Sequence, residues 1–109
     1  MSKELAIKIC MYRIRELIQN GRVVFVSRQK NRQTLFDFGL RKEDVFQKLL
    51  ELQVADYISG PETDKNKSDG QIWKFCHPVS GIIIYIKLKF YQDNGTDSLK
   101  ILSFHPEEY

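Results

Sequence analysis

Cysteine is nearly absent from this chain: Cys10 and Cys76 stand far apart and form no Cys-x-x-Cys pair. That excludes a disulfide framework. With no n-region and apolar h-region ahead of a cleavage site, the expectation is a reduced, cytoplasmic protein. Long apolar runs are missing too. The longest is interrupted by Lys87, so no segment is expected to span a membrane. There is no Gly-rich phosphate loop and no Gly-x-Ser-x-Gly elbow, and Cys76-His77 has no second ligand pair at a zinc spacing. The run from Asp64 to Gly70 resembles a calcium loop only superficially, because its Gly comes one residue late and the twelfth position is Phe75 rather than a carboxylate. No metal or cofactor is expected. Acidic residues are absent from two segments, between Glu16 and Asp37 and from Gly70 to Gln92.

What remains is a chain of 109 residues, 42% hydrophobic, enough for one two-layer core and too little for two. No repeat, linker or low-complexity stretch divides it, so residues 1–109 are read as one domain. The net charge of +3 permits a nucleic-acid partner without requiring one. Its distribution says more. Arg22, Arg28, Lys30 and Arg32 fall in the first acid-free segment, and Lys74, Lys87 and Lys89 in the second.

Apolar residues at roughly helical spacing (Leu5, Ile7, Ile9, Cys10, Ile14, Leu17, Ile18) predict a helix over 2–19, with Ser2 as N-cap and Asn20-Gly21 as the stop. Val23 to Val26 fits a short buried strand. The stretch Gln29 to Gly39 lacks a clean period and is expected to be an irregular loop or a short helical turn around Leu35 and Phe36. A second helix is expected from about Arg41 to Leu52, with Val45, Phe46, Leu49, Leu50 and Leu52 inward and Glu43-Asp44 at the positive end of its dipole. Asp56 to Pro61 re-extends the chain, and Thr63 to Gly70 is expected to be a mobile loop.

Three runs, Gln71 to His77, Gly81 to Tyr91 and Ser98 to His105, predict an antiparallel meander joined at Pro78–Gly81 and Asp93–Thr96. The expected fold is α+β: two helices packed on one face of a small antiparallel sheet that ends in a three-strand meander. In the middle strand, period-2 alternation puts Ile84, Ile86, Leu88 and Phe90 on the core face and Tyr85, Lys87, Lys89 and Tyr91 on the other. By residue type alone that second face is either solvated or a surface for a polyanion. Arg28, Lys30 and Arg32 are equally open between solvent and phosphate, and His105 could simply end a strand. Trp73 and Phe75 read as core, and His77 as structural or exposed.

The order of elements and fragments resembles the MqsR family of bacterial toxins, within the RelE/ParE-like superfamily. The matching parts are the helix, the Asn-Gly turn, the short basic strand, Leu-x-x-x-Gly-Leu at Leu35 to Leu40, the second helix, Asp56-Tyr57, Ile72-Trp73, Ile84-Tyr85-Ile86-Lys87 and Leu102-Ser103-Phe104. They extend from about Met11 to His105. The resemblance implies a RelE-like fold and the toxin of a type II toxin–antitoxin system. It would be an endoribonuclease (mRNA interferase) that cuts messenger RNA without a metal and is restrained by a cognate antitoxin with a helix-turn-helix or zinc-binding domain. A non-catalytic member of the same fold, binding RNA or a protein, is the alternative.

Carried over by position, the resemblance implies Tyr85, Lys74 and His105 as active-site residues; Lys87, on the face of Tyr85, completes the expected catalytic set, and Lys89 and Tyr91 of that face with Arg28, Lys30 and Arg32 of the first basic segment are the residues expected to meet RNA. Lys74 stands where the family has an amide, His105 where it has a lysine, and Ile58 near a further family lysine. The histidine changes the chemistry most. An ordinary imidazole near ~6.5 is better poised for proton transfer at neutral pH than a lysine near ~10.4.

Overall fold

The computed structural model describes residues 2–65 and 69–107. Helix α1 (Lys3–Gln19) starts where Ser2 Oγ accepts the Leu5 N–H at 3.2 Å and stops at Asn20, with Gly21 at a φ of 69° turning the chain away. Strand β1 (Val23–Phe25) follows, then helices α2 (Gln29–Phe38) and α3 (Lys42–Leu50), a 3₁₀ turn (Val54–Asp56), and strands β2 (Tyr57–Thr63), β3 (Gln71–Val79), β4 (Ile82–Asp93) and β5 (Thr96–Pro106). No described helix is long and apolar enough to cross a membrane.

The five strands lie in the order β1-β5-β4-β3-β2. The expected meander is present: β3 pairs with β4, and β4 with β5, both antiparallel. Its turns explain themselves. Ser80-Gly81 (φ 51° and 80°) and Asn94-Gly95 (φ 52° and 78°) put two successive residues at positive φ, the geometry of the two-residue turns whose twist matches a hairpin. The sheet is mixed, however, not antiparallel, because β1 runs parallel to β5. Three residues carry no signal of direction. The long connection through α2, α3 and three strands permits the parallel pairing that a short turn would forbid.

Period-2 alternation in β4 is realised side by side: Ile84, Ile86, Leu88 and Phe90 are 0–3% exposed. They pack with Phe75, Leu99, Ile101 and Phe104 beneath Ile7, Cys10, Ile14 and Leu17 of α1 and Val45 and Leu49 of α3. Burying that many large side chains, each worth roughly 1.5–3 kcal/mol, is the main term holding the layers together. Leu5 and Ile9, included in the helical pattern, turn outward instead. At 100° per residue they fall well off the buried stripe, Leu5 on nearly the opposite side of the helix. Phe25 alone of β1 is fully buried, because the strand sits at the sheet edge with Val24 facing out.

The largest departure is α2, a ten-residue helix where a loop was expected. Its two buried residues, Asn31 and Thr34, are polar and three apart, so no hydropathy period reveals it. Asn31 does the work of a strand: Oδ1 accepts the Phe104 N–H at 2.9 Å, and Nδ2 donates to the carbonyls of Leu102 (3.0 Å) and Val26 (2.9 Å). Where β1 ends, this amide continues its ladder along the edge of β5. At the same place β5 carries a bulge, since Lys87 pairs with Ser103 but Leu88 with Ile101, leaving Leu102 extra. In the segment expected to be a mobile loop, Thr63 closes β2 and Asp64 binds Lys89; residues 66–68 lie outside the described residues.

Candidate active site on the open sheet face

Helices α1 and α3 cover one face of the sheet, and the other carries the site. Register sets its rows. Cys76, Tyr85 and His105 are cross-strand neighbours on β3, β4 and β5; Lys74, Lys87 and Ser103 form the next row. Alternation along each strand sends both rows to the same side. The Tyr85 and His105 rings stand with centroids 5.7 Å apart, tilted by 47°.

His105 Nδ1 lies 3.0 Å from the Pro106 carbonyl oxygen. A carbonyl only accepts, so Nδ1 carries the hydrogen and the neutral ring keeps its free lone pair on Nε2. Tyr85 complements it. Partial burial raises the phenol above its ordinary 10.0, outweighing the opposite pull of Lys74, so the hydroxyl stays protonated at neutral pH and can donate. Cys76, in the same row, is pushed up to about 11 by burial and by its hydrogen bond to Glu107, and is a thiol rather than a nucleophile.

Two clefts flank the pair. One, of about 270 Å³, is lined by Lys74 and Lys87 together with Glu62, Asp64 and Ile72. Here Lys74 Nζ stands 3.6 Å from Glu62 Oε2, and the carboxylate is held below its ordinary range by the Ser59 hydroxyl first and Lys74 second. The second cleft, of about 280 Å³, lies between α2 and β5 and is lined by Arg28, Gln29, Lys30, Asn31, Ser103 and His105. His105 thus borders both the Tyr85 row and the α2 cleft.

The structure gathers Tyr85, His105, Lys74, Lys87, Arg28 and Lys30 into one basic area. It separates the other three predicted residues. Lys89 is 4% exposed and its ammonium lies 2.8 Å from Asp64 Oδ2, so it is a buried structural cation. Arg32 folds back on the Ser27 carbonyl and hydroxyl. Tyr91 is six residues from Tyr85, roughly 20 Å along an extended strand, under the Lys100 ammonium at 4.7 Å.

Trp73 and Phe75 are core, with rings stacked at 6.5 Å. His77 is locked on the helix side, with Nδ1 2.9 Å from Asp56 and Nε2 3.6 Å from Glu51. Ile58 is 45% exposed and supplies no charge. Among the described residues no group of three or more His, Cys, Asp or Glu is gathered as for a metal. Ser103, Glu62 and Asn31 were missed from sequence. Ser103 carried a signal, its parity with His105 two residues on, whereas the other two act through contacts distant in sequence.

Fold and site together define an α+β protein whose exposed sheet face couples a phenol, an imidazole and several cations. The family model described as "Motility quorum-sensing regulator, toxin of MqsA" matches residues 8–106, and the chain belongs to that family of toxins paired with an antitoxin. No curated protein and no solved structure matches the chain.

Proposed function

We propose that this toxin is an endoribonuclease that cuts messenger RNA through the substrate's own 2′-OH. The observation that carries the reading is the cross-strand Tyr85–His105 pair on a face where Lys74 and Lys87 form the adjoining row. His105 Nε2 takes the 2′ proton as the ribose oxygen attacks the adjacent phosphorus. The ammonium groups of Lys74 and Lys87 stabilise the extra negative charge on the phosphorane oxygens. The P–O5′ bond then breaks. Tyr85 passes its phenol proton to the departing oxygen and regains one from solvent, while His105 releases the proton it took. The products are a 2′,3′-cyclic phosphate and a free 5′-OH, with no oxidant or cofactor in the balance. In this reading residues 1–109 form one RelE-like domain, working in the cytoplasm and restrained by a cognate antitoxin.

The ion pair between Lys74 and Glu62 and the apolar Ile58 favour a second reading, a member that binds RNA without cutting it. Single-stranded RNA incubated with the purified protein in EDTA separates the two. Cyclic-phosphate ends are the expected product. Loss of all cleavage in EDTA, restored by a divalent ion, would overturn the 2′-OH mechanism as written, and intact RNA under every condition would favour the binding protein.

A further inference from the structure

Helix α2 begins in a way that is unfavourable for the isolated chain. Its N-cap is Arg28, whose side chain caps no main-chain N–H, and its first turn contains no acidic residue. The first N–H groups of a helix have no carbonyl one turn back, and the macrodipole places partial positive charge there. Good caps are Ser, Thr, Asp or Asn; a cation at this position adds like charge to like. An anion held at this end would relieve both deficits.

An independent observation points into the same cleft. Ser103 is 7% exposed, lines the cavity with Arg28, Gln29 and His105, and has no hydrogen-bond partner among the described residues. Its hydroxyl lines the cleft and is available there as a donor. Asn31 fixes both walls of the cleft, tying α2 to the bulged segment of β5 that presents Ser103 and His105. The cleft is therefore held open by the fold, with the N-terminus of α2 on one side and the Ser103 hydroxyl on the other.

We propose that this cleft is a phosphate subsite, in which the N-terminal N–H groups of α2, the Ser103 hydroxyl and the Arg28 guanidinium bind the non-bridging oxygens of an RNA phosphodiester next to the one that is cut. The proposal rests on the ribonuclease reading for its choice of anion. His105 stands between the cleft and Tyr85, and it deprotonates the 2′-OH. The phosphate held in the cleft is therefore the one on the 5′ side of the attacking nucleotide.

The test separates binding from chemistry. A single-stranded 2′-O-methyl RNA of about ten nucleotides cannot be cut, and its affinity is measured against salt for the native protein, Arg28→Gln, Ser103→Ala and Arg15→Gln, the last a control for charge on α1. Arg28→Gln is expected to weaken binding about tenfold and lower the salt slope by about 0.7, the value for one phosphate contact on a single strand. Ser103→Ala weakens binding with the slope kept, and Arg15→Gln changes neither. With cleavable RNA, Arg28→Gln raises KM and retains kcat. A methylphosphonate on the 5′ side of the cut nucleotide erases the difference between native protein and Arg28→Gln, and one elsewhere does not.

If Arg28→Gln and Ser103→Ala bind like the native protein while Tyr85→Phe and His105→Gln lose cleavage, the subsite is wrong and the ribonuclease reading stands. If they lose binding as described but no variant nor the native protein cuts RNA, the phosphate site stands and the catalytic reading falls. Because Arg28 is exposed, its substitution tests the subsite even if Ser103→Ala unfolds.

Discussion

Tyr85 and His105 face each other across β4 and β5, register partners whose ring centroids are 5.7 Å apart. Tyr85→Phe keeps the ring and its packing and removes only the hydroxyl, so stability should change little while the rate falls on the order of 10²-fold. His105→Gln should lower the rate by a similar factor, because an amide cannot take the 2′ proton. The phenol's upward shift bears on the alkaline side. Tyr85 keeps its proton beyond its ordinary 10.0, so no alkaline decline should come from it between pH 7 and 9. Both variants retaining full activity would remove this pair from the mechanism.

Two lysines of one strand face should behave differently. Lys87 borders the cleft beside Lys74, and Lys87→Ala should weaken RNA binding across sequences and reduce its salt dependence while the melting temperature stays put. Lys89→Ala removes the buried partner of Asp64 and should act on stability instead, up to about 3–5 kcal/mol where a pair is fully buried and less here because Asp64 reaches solvent. Denaturant titration beside an RNA-binding isotherm distinguishes them. An unchanged salt slope for Lys87→Ala would return this face to ordinary solvated surface.

Glu62 is paired with the Lys74 ammonium at 3.6 Å. Glu62→Gln leaves the size of the side chain, frees the ammonium and removes a negative charge from the path of the RNA. Binding should tighten several-fold, most clearly at low salt where exposed charges are least screened. Weaker binding would mean that the carboxylate positions Lys74 rather than competing for it.

Asn31 joins α2 to the edge of β5 through three hydrogen bonds. Asn31→Ala orphans buried main-chain groups and should cost roughly 2–4 kcal/mol in unfolding free energy. Asn31→Asp can still accept from Phe104 but cannot donate to Val26 or Leu102, so most of the loss should persist. Urea unfolding followed by circular dichroism measures it. A loss below about 0.5 kcal/mol for Asn31→Ala would show that the edge is held by other contacts.

Much of the meander was legible because its signals are local. Alternation from Ile84 to Tyr91 assigns each side chain to a face, and Asn94-Gly95 names its own turn, whichever elements surround them. Helix α1 was legible for the same reason, from Ser2 at one end to Asn20-Gly21 at the other. Helix α2 was not. Its buried side chains are polar, and their partners at Leu102 and Phe104 lie some seventy positions away. No window of sequence holds both halves of that arrangement.

The sequence by itself determined that Tyr85 and Lys87 share a face, that His105 ends the next strand, and that two segments are free of acid, because side-chain parity and composition are properties of the chain. Only the tertiary structure decided which cations are available. Lys89 and Lys87 are equivalent by parity, yet one is buried against Asp64 and the other borders a cleft. Arg28 and Arg32 lie in the same basic run, yet one opens beside His105 and the other turns back on Ser27. Charge becomes a binding determinant only where solvent, and therefore substrate, can reach it. That depends on which carboxylate or carbonyl the fold has brought alongside, and those partners come from other parts of the chain.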